Sequence, residues 1–247
     1  MMRPWMQWAA AGALALGVTG CGDSGTAPGP TPPAVTGGTT TAMSTTPSSA
    51  AVDLNLALPR AEIIGTVVNL PQWAQSELMR TARRPPIKVP TGCTNVAFHK
   101  PVTASGGVLN GLSLALVTDG DKEPNGNAVQ LGPGLQWFQV DLQEKYAVYA
   151  IVSWRFHQNP RVFHSVVVQV SDDPAFARNV TTVFNNDVTN AAGFGVGNDR
   201  EFLDRFDGQL IETKGVAARY VRLYSNGSTA DDQNPMQEVE VYGLPAK

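Results

Sequence analysis

From residue 94 onward the apolar residues recur at every second position, and this alternation constrains the fold more than any other feature. In residues 135–142 (LQWFQVDL), Leu135, Trp137, Gln139 and Asp141 share one face, and Gln136, Phe138, Val140 and Leu142 share the other. Side chains on a strand alternate between faces, so this pattern predicts a strand with one apolar side. Further runs at 147–154, 165–170, 180–184, 218–224 and 237–242 are rich in Val, Tyr and Phe. Clusters of Gly, Asn, Asp or Pro bound them, as strand ends require. Helical periodicity is nearly absent between them. Short strands without intervening amphipathic helices predict an all-β antiparallel sandwich or barrel. The segment, residues 93–247, is long enough to bury one core. No internal repeat is visible.

The N-terminal third reads differently. Arg3 precedes a ten-residue apolar stretch, residues 9–18 (AAAGALALGV). A membrane-spanning helix needs about 20 apolar residues, so this length suits a secretory signal instead. Val18-Thr19-Gly20-Cys21 resembles the bacterial lipoprotein box. The resemblance implies that residues 1–20 are a signal peptide and that Cys21 is lipidated and becomes the mature N-terminus. It also implies a place in the bacterial cell envelope, at the outer membrane, on its periplasmic face or the cell surface. An ordinary signal peptide with an incidental cysteine is the other reading. From Gly22 to Ala51, all residues but Asp23, Val35 and Met43 are Gly, Ala, Ser, Thr or Pro. Such a segment cannot bury enough apolar area to offset its ordering entropy. Residues 21–51 are therefore expected to be a disordered tether.

Residues 52–92 form an arm before the sandwich. Pro71 to Arg80 (PQWAQSELMR) predicts a short helix, stopped by Pro85-Pro86. Two readings stand: Trp73 and Leu78 dock on the following domain, or the arm is partly disordered.

Composition excludes whole classes of function. Eighteen Lys and Arg face 21 Asp and Glu, a net charge of −3, so nucleic acid is not expected as a partner. The two cysteines make no metal knuckle, and once Cys21 is lipidated Cys93 has no partner for an intrachain disulfide. No Ser or Cys stands in a nucleophile-elbow setting. His157 and His164 with Asp172 or Asp173 are the only acid/base candidates, and Asp172-Asp173 point to opposite sides if extended. The chain is not expected to be an enzyme.

Six landmarks then carry a family resemblance. Asn95 to Ser105 (NVAFHKPVTAS), Asp119-Gly120-Asp121, Trp137 to Leu142 (WFQVDL), Ser171-Asp172-Asp173, Ala218 to Leu223 (ARYVRL) and Gln237 to Gly243 (QEVEVYG) follow one another in order. Together they resemble discoidin domains, also called coagulation-factor V/VIII C-type or galactose-binding-like domains, which include family 32 carbohydrate-binding modules. Gln143 stands where the family's "WxQVDLG" has Gly. The resemblance implies an eight-stranded antiparallel jelly-roll sandwich with ligand loops at one end. It implies carbohydrate as the partner; an envelope protein bound through the same loops is the rival.

The resemblance also implies a structural Ca²⁺ held by Asp119, Asp121 and Glu238, with carbonyls such as those of Leu116 and Gln237. A hard cation takes six to eight oxygens of this kind. Pro124 departs from the Thr or Ser usual there, leaving Glu123, Asn125 or Asn127 to substitute. The alternative is an Asx turn, in which Asp119 and Asp121 serve only the loop backbone. For ligand binding, the residues 155–164 (RFHQNPRVFH) are expected to present Arg155, His157 and Arg161. A guanidinium offers five donors in a rigid fork, suited to hydroxyls or a carboxylate. Asn226 and Asn234, on a second polar loop, are expected at the same end. Arg161 is expected to be dispensable for stability, and Arg219 and Arg222 to pair structurally.

Overall fold

The structure is a computed structural model that describes residues 50–80, 82 and 84–246. Residues 1–49, with the expected signal peptide, Cys21 and most of the expected tether, lie outside the described residues. The arm opens with β1 (Ala51–Asp53) and α1 (Gln72–Leu78) and closes with β2 (Lys88–Pro90). The domain follows with β3 (Thr94–Asn95), β4 (Val102–Ala104), a 3₁₀ turn (Leu114–Thr118) and β5 (Val129–Leu131). The remaining strands are β6 (Gln136–Trp154), β7 (Val167–Ser171), β8 (Thr181–Asn185), β9 (Gln209–Ser225), β10 (Asn234–Met236) and β11 (Glu238–Pro245).

All strand pairings are antiparallel. The main sheet runs β3-β11-β6-β9-β7-β8, with β4 also on β6, and β5 pairs β10 in a separate ribbon. The alternation in residues 135–142 behaves as expected: Phe138, Val140 and Leu142 are buried, while Trp137 and Asp141 on the other face are half-buried. Where the family pattern implies eight strands, nine lie between Thr94 and Pro245. Two of them, β6 and β9, are 19 and 17 residues long. Their register shifts between Asp141 and Tyr146 and again between Val148 and Ala150. Such irregularities bend a strand, so both halves of β6 line one core, Phe138 and Val140 from the first and Val148 and Ile151 from the second.

Gln143 sits at the first shift with φ 69°. That is the left-handed region glycine occupies without strain, which accounts for the glycine of the family pattern. Here Gln143 is held instead by its N–H on Asp141 Oδ1 at 2.7 Å and by Lys100 Nζ on its amide oxygen at 2.8 Å.

Of the two readings of the arm, the structure gives the docked one. Ala74 is fully buried against Val162 and Leu203, with Trp73 and Leu78 half-buried beside it. The helix is shorter than the sequence predicts. Pro71 is its extended N-cap rather than part of the first turn. Arg80 lies beyond its end, and Arg205 donates to the carbonyls of Glu77 and Arg80.

Candidate functional site

The loop that follows β6 is fixed from within. Arg155 is fully buried. Its guanidinium donates to Ser225 Oγ at 2.8 Å and to the Tyr224 carbonyl at 3.2 Å, and it stacks on Phe163 at 5.1 Å. The Asp204 carboxylate accepts the Phe156 N–H at 2.6 Å and the Arg155 N–H at 3.4 Å. Burial pulls the Arg155 pKa down to about 10, and the charge of Asp204 works against that pull. Burial likewise pushes the Asp204 carboxyl above its ordinary value. The two buried groups make no direct ion pair but lie close enough for each charge to ease the burial of the other.

The other expected ligand residues are largely enclosed too. The His157 ring donates from Nε2 to the Lys122 carbonyl at 2.8 Å, which assigns the proton to that nitrogen. Its Nδ1 is buried and has no partner among the described residues. Arg161 is buried on Asp231 at 2.6 Å, stacks on Phe156 at 5.0 Å and donates to the Asn159 carbonyl. It is thus part of the framework, and the expectation that its loss would leave stability unchanged is corrected. Asn234 is buried, accepts the Gly227 N–H at 2.9 Å and donates to the Gly132 and Gly134 carbonyls. Asn226 is half-buried and its N–H donates to the His164 carbonyl. The structure brings the two loops to one end, with Phe163 bridged to Ser228 and the Val162 N–H on Thr229. Yet it turns Arg155 and Arg161 into the ties between them, and Asn234 into a tie from the second loop to the turn before β6. Their partners lie up to 102 residues away in the chain, so the sequence shows the right residue types without their engagements.

What this loop end leaves open is a cavity of about 310 Å³ beside His157 and Pro160, lined also by Phe206, Leu78 and Ile63. The arm forms one wall. The Ile64 N–H donates to the Gln158 carbonyl at 2.6 Å, and Asn159 returns a bond to the Ile64 carbonyl at 3.1 Å. Nothing in the arm's sequence signals this strap beyond its apolar residues.

The acidic loop follows the 3₁₀ turn. Asp119 Oδ1 accepts the Asp121 N–H at 2.8 Å; Asp121 accepts the Glu123 N–H at 3.0 Å and the Asn125 amide at 2.7 Å. Both aspartates thus act as turn acceptors. Gly120, at φ 86°, lies so close to Phe98 that a Cβ would come within 2.9 Å of the ring. Its N–H donates to Glu238 Oε2 at 3.2 Å. Glu238 Oε1 is buried and has no partner among the described residues. Burial, with repulsion from Glu240 and Asp119, raises the Glu238 pKa to about 9. Among the described residues no three His, Cys, Asp or Glu side chains form a closed ligand group. The orphaned carboxylate oxygen facing this loop nonetheless fits the oxygen shell of a hard cation. Beside it, Lys122 pairs with Glu240 and lies over the Trp154 ring at 4.9 Å. The sequence carried only a faint sign of that pair, in the two glutamates on alternate residues of β11.

Of the acid/base candidates, His164 is exposed and the two aspartates are engaged elsewhere. Asp172 pairs with Lys145 at 2.5 Å, and Asp173 accepts the Ala175 and Ala177 N–H groups. Arg219 makes a two-pronged contact with Asp141 at 2.8 and 2.9 Å, and Arg222 donates to Gln139 while stacked between Trp137 and Phe176.

No family model matches the chain, and no curated protein sequence matches it. Solved structures do. The family 89 glycoside hydrolase from Clostridium perfringens is 18% identical with a TM-score of 0.48, over 62% of this chain and 15% of the hydrolase. Chitosan-binding module 1 from the chitosanase/glucanase of Paenibacillus sp. IK-5 is 24% identical with a TM-score of 0.45, over 61% of this chain and 99% of the module. The CBM32 of AlyQ, in complex with 4,5-unsaturated mannuronic acid, is 17% identical with a TM-score of 0.43, over 58% of this chain and 95% of that module.

Proposed function

We propose that residues 93–247 form a discoidin-type, non-catalytic carbohydrate-binding module, held at the bacterial envelope by lipid on Cys21. The observation that carries the ligand class is the cavity beside His157. Its volume, about 310 Å³, is in the range of small-ligand sites. Pro160 and Phe206 offer apolar surface to the face of a pyranose. His157 Nδ1, buried and without a partner among the described residues, is left to meet a hydroxyl. The loop is held from behind by Arg155 and Asp204, so little ordering entropy is lost on binding. The six sequence landmarks support the same class.

The Ca²⁺ reading belongs to this proposal as a structural element. Glu238 Oε1 and Asp119 would supply carboxylate oxygens, with carbonyls of the Leu116–Asp121 turn and of Gln237. The ion would fix the loop and take no part in chemistry.

A glycan array probed with the full chain tests the ligand class. Binding to a defined glycan, lost in His157→Phe while the domain stays folded by circular dichroism, is the expected result; the melting temperature should fall somewhat, because the buried Lys122 carbonyl loses its donor. An envelope protein that co-purifies and resists competition by every arrayed glycan would favour the rival reading. For the anchor, Cys21→Ser is expected to abolish metabolic fatty-acid labelling and release the protein from membranes. Unchanged membrane association would refute it.

A further inference from the structure

The arm and the domain enclose a second cavity, of about 390 Å³, on the other side of the Arg80–Arg205 pair. Four arginines and three carboxylates line it, in a chain whose net charge is −3. Most of these charges are already committed. Arg80 bonds Glu77 at 2.8 Å and reaches Asp207 at 3.4 Å, while Arg205 donates to arm carbonyls. Arg84 holds the carbonyls of Gly208 and Asp207 at 2.8 and 2.7 Å. Arg200 is different. Its side chain is 77% exposed, its nearest carboxylate oxygen is 3.9 Å away, and it lies over the Trp73 ring at 5.9 Å.

Gln209 supplies an independent observation. It is the first residue of β9, lines this cavity and is only 4% exposed. Neither its amide nitrogen nor its amide oxygen has a partner among the described residues. A buried amide lacking both donor and acceptor partners is rare in folded proteins and calls for a missing partner. Adjacent sugar hydroxyls satisfy both halves, because each hydroxyl donates and accepts. The aromatic wall of Trp73 and Phe184 suits the apolar face of a ring. The exposed guanidinium of Arg200, only loosely paired with Glu77 at 3.9 Å, suits a carboxylate, which it can grip with two donors.

We propose that this cavity is a binding site for a uronate residue of an acidic polysaccharide, completed by the docked arm. It is separate from the His157 cavity and does not depend on a ligand there. The full chain is titrated calorimetrically with tetragalacturonate, its methyl-esterified counterpart and inorganic sulfate. Tetragalacturonate is expected to bind saturably, at least tenfold tighter than the ester, with sulfate not competing. Arg200→Gln is expected to weaken it about tenfold. Gln209→Leu is expected to weaken it at least tenfold while the melting temperature holds or rises, because an orphaned amide has been removed. Equal affinity for the ester, full competition by sulfate, or wild-type affinity in both variants would overturn the proposal. Binding of a neutral glycan is expected to be untouched by either variant. A chain that binds neutral glycans but not tetragalacturonate therefore fails this inference alone.

Discussion

Asp204→Ala is expected to destabilise the domain by about 3–5 kcal/mol, because it strands two loop N–H donors, at about 1–3 kcal/mol for each unsatisfied group, and removes a charge that offsets the burial of Arg155. The carboxylate does two things at once. It accepts the Phe156 and Arg155 N–H groups, and its charge offsets the desolvation of a guanidinium with no exposure at all. Alanine leaves two loop donors and one buried cation without it. For a domain of this size the melting temperature should fall by roughly 10 °C or more, at about 2–4 °C per kcal/mol. Asp204→Asn keeps an acceptor for Phe156 but not the charge, so it should cost less. Arg155→Met in the Asp204→Ala background should recover much of the loss, because the uncompensated charge is then gone. Denaturant unfolding of the wild type, Asp204→Ala, Arg155→Met and the double variant gives the cycle. A loss under about 1 kcal/mol for Asp204→Ala would mean that the pair does not hold the loop.

Calcium is expected to raise the melting temperature by roughly 5–10 °C. An ion that binds only the folded state stabilises it by about 2.7 kcal/mol at 100-fold saturation, and the same size conversion applies. Two variants separate an ion site from a turn. Glu238→Gln removes the buried carboxylate whose Oε1 has no partner. It should abolish the response to calcium without lowering the stability of the chelated protein, since the amide keeps an acceptor for the Gly120 N–H and brings no charge into the buried site. Asp119→Ala should abolish the response and also lower the chelated baseline, because Asp119 accepts the Asp121 N–H. Identical melting of the chelated and calcium-loaded wild type would leave both aspartates as turn residues only.

The sheet was legible because alternation is a local signal. Phe138, Val140 and Leu142 announce their burial in eight consecutive residues. The bend of β6 was half legible: Gln143 interrupts a family pattern, but only its φ of 69° shows why the chain turns there. The candidate site was legible in residue type and not in role. Arg155, His157 and Arg161 do gather with Asn226 and Asn234, yet an arginine's purpose depends on what meets it. Ser225 and Asp204 stand 70 and 49 residues from Arg155, and no local pattern reports such distances. Asp204 itself lies in a charged stretch with no periodicity. The arm left the least trace, since Ala74 packs as tightly as any core residue but is an unremarkable alanine in a seven-residue helix.

The central claim is that this chain holds a glycan and leaves it intact. The most direct measurement is a calorimetric titration of the full chain with the best arrayed glycan, followed by mass analysis of that glycan after prolonged incubation. The account predicts a saturable isotherm, weakened at least tenfold by His157→Phe, about 1.4 kcal/mol in affinity, with the glycan recovered at its starting mass. No saturable heat for any glycan would contradict the binding claim, and a cleaved or modified product would contradict the non-catalytic one.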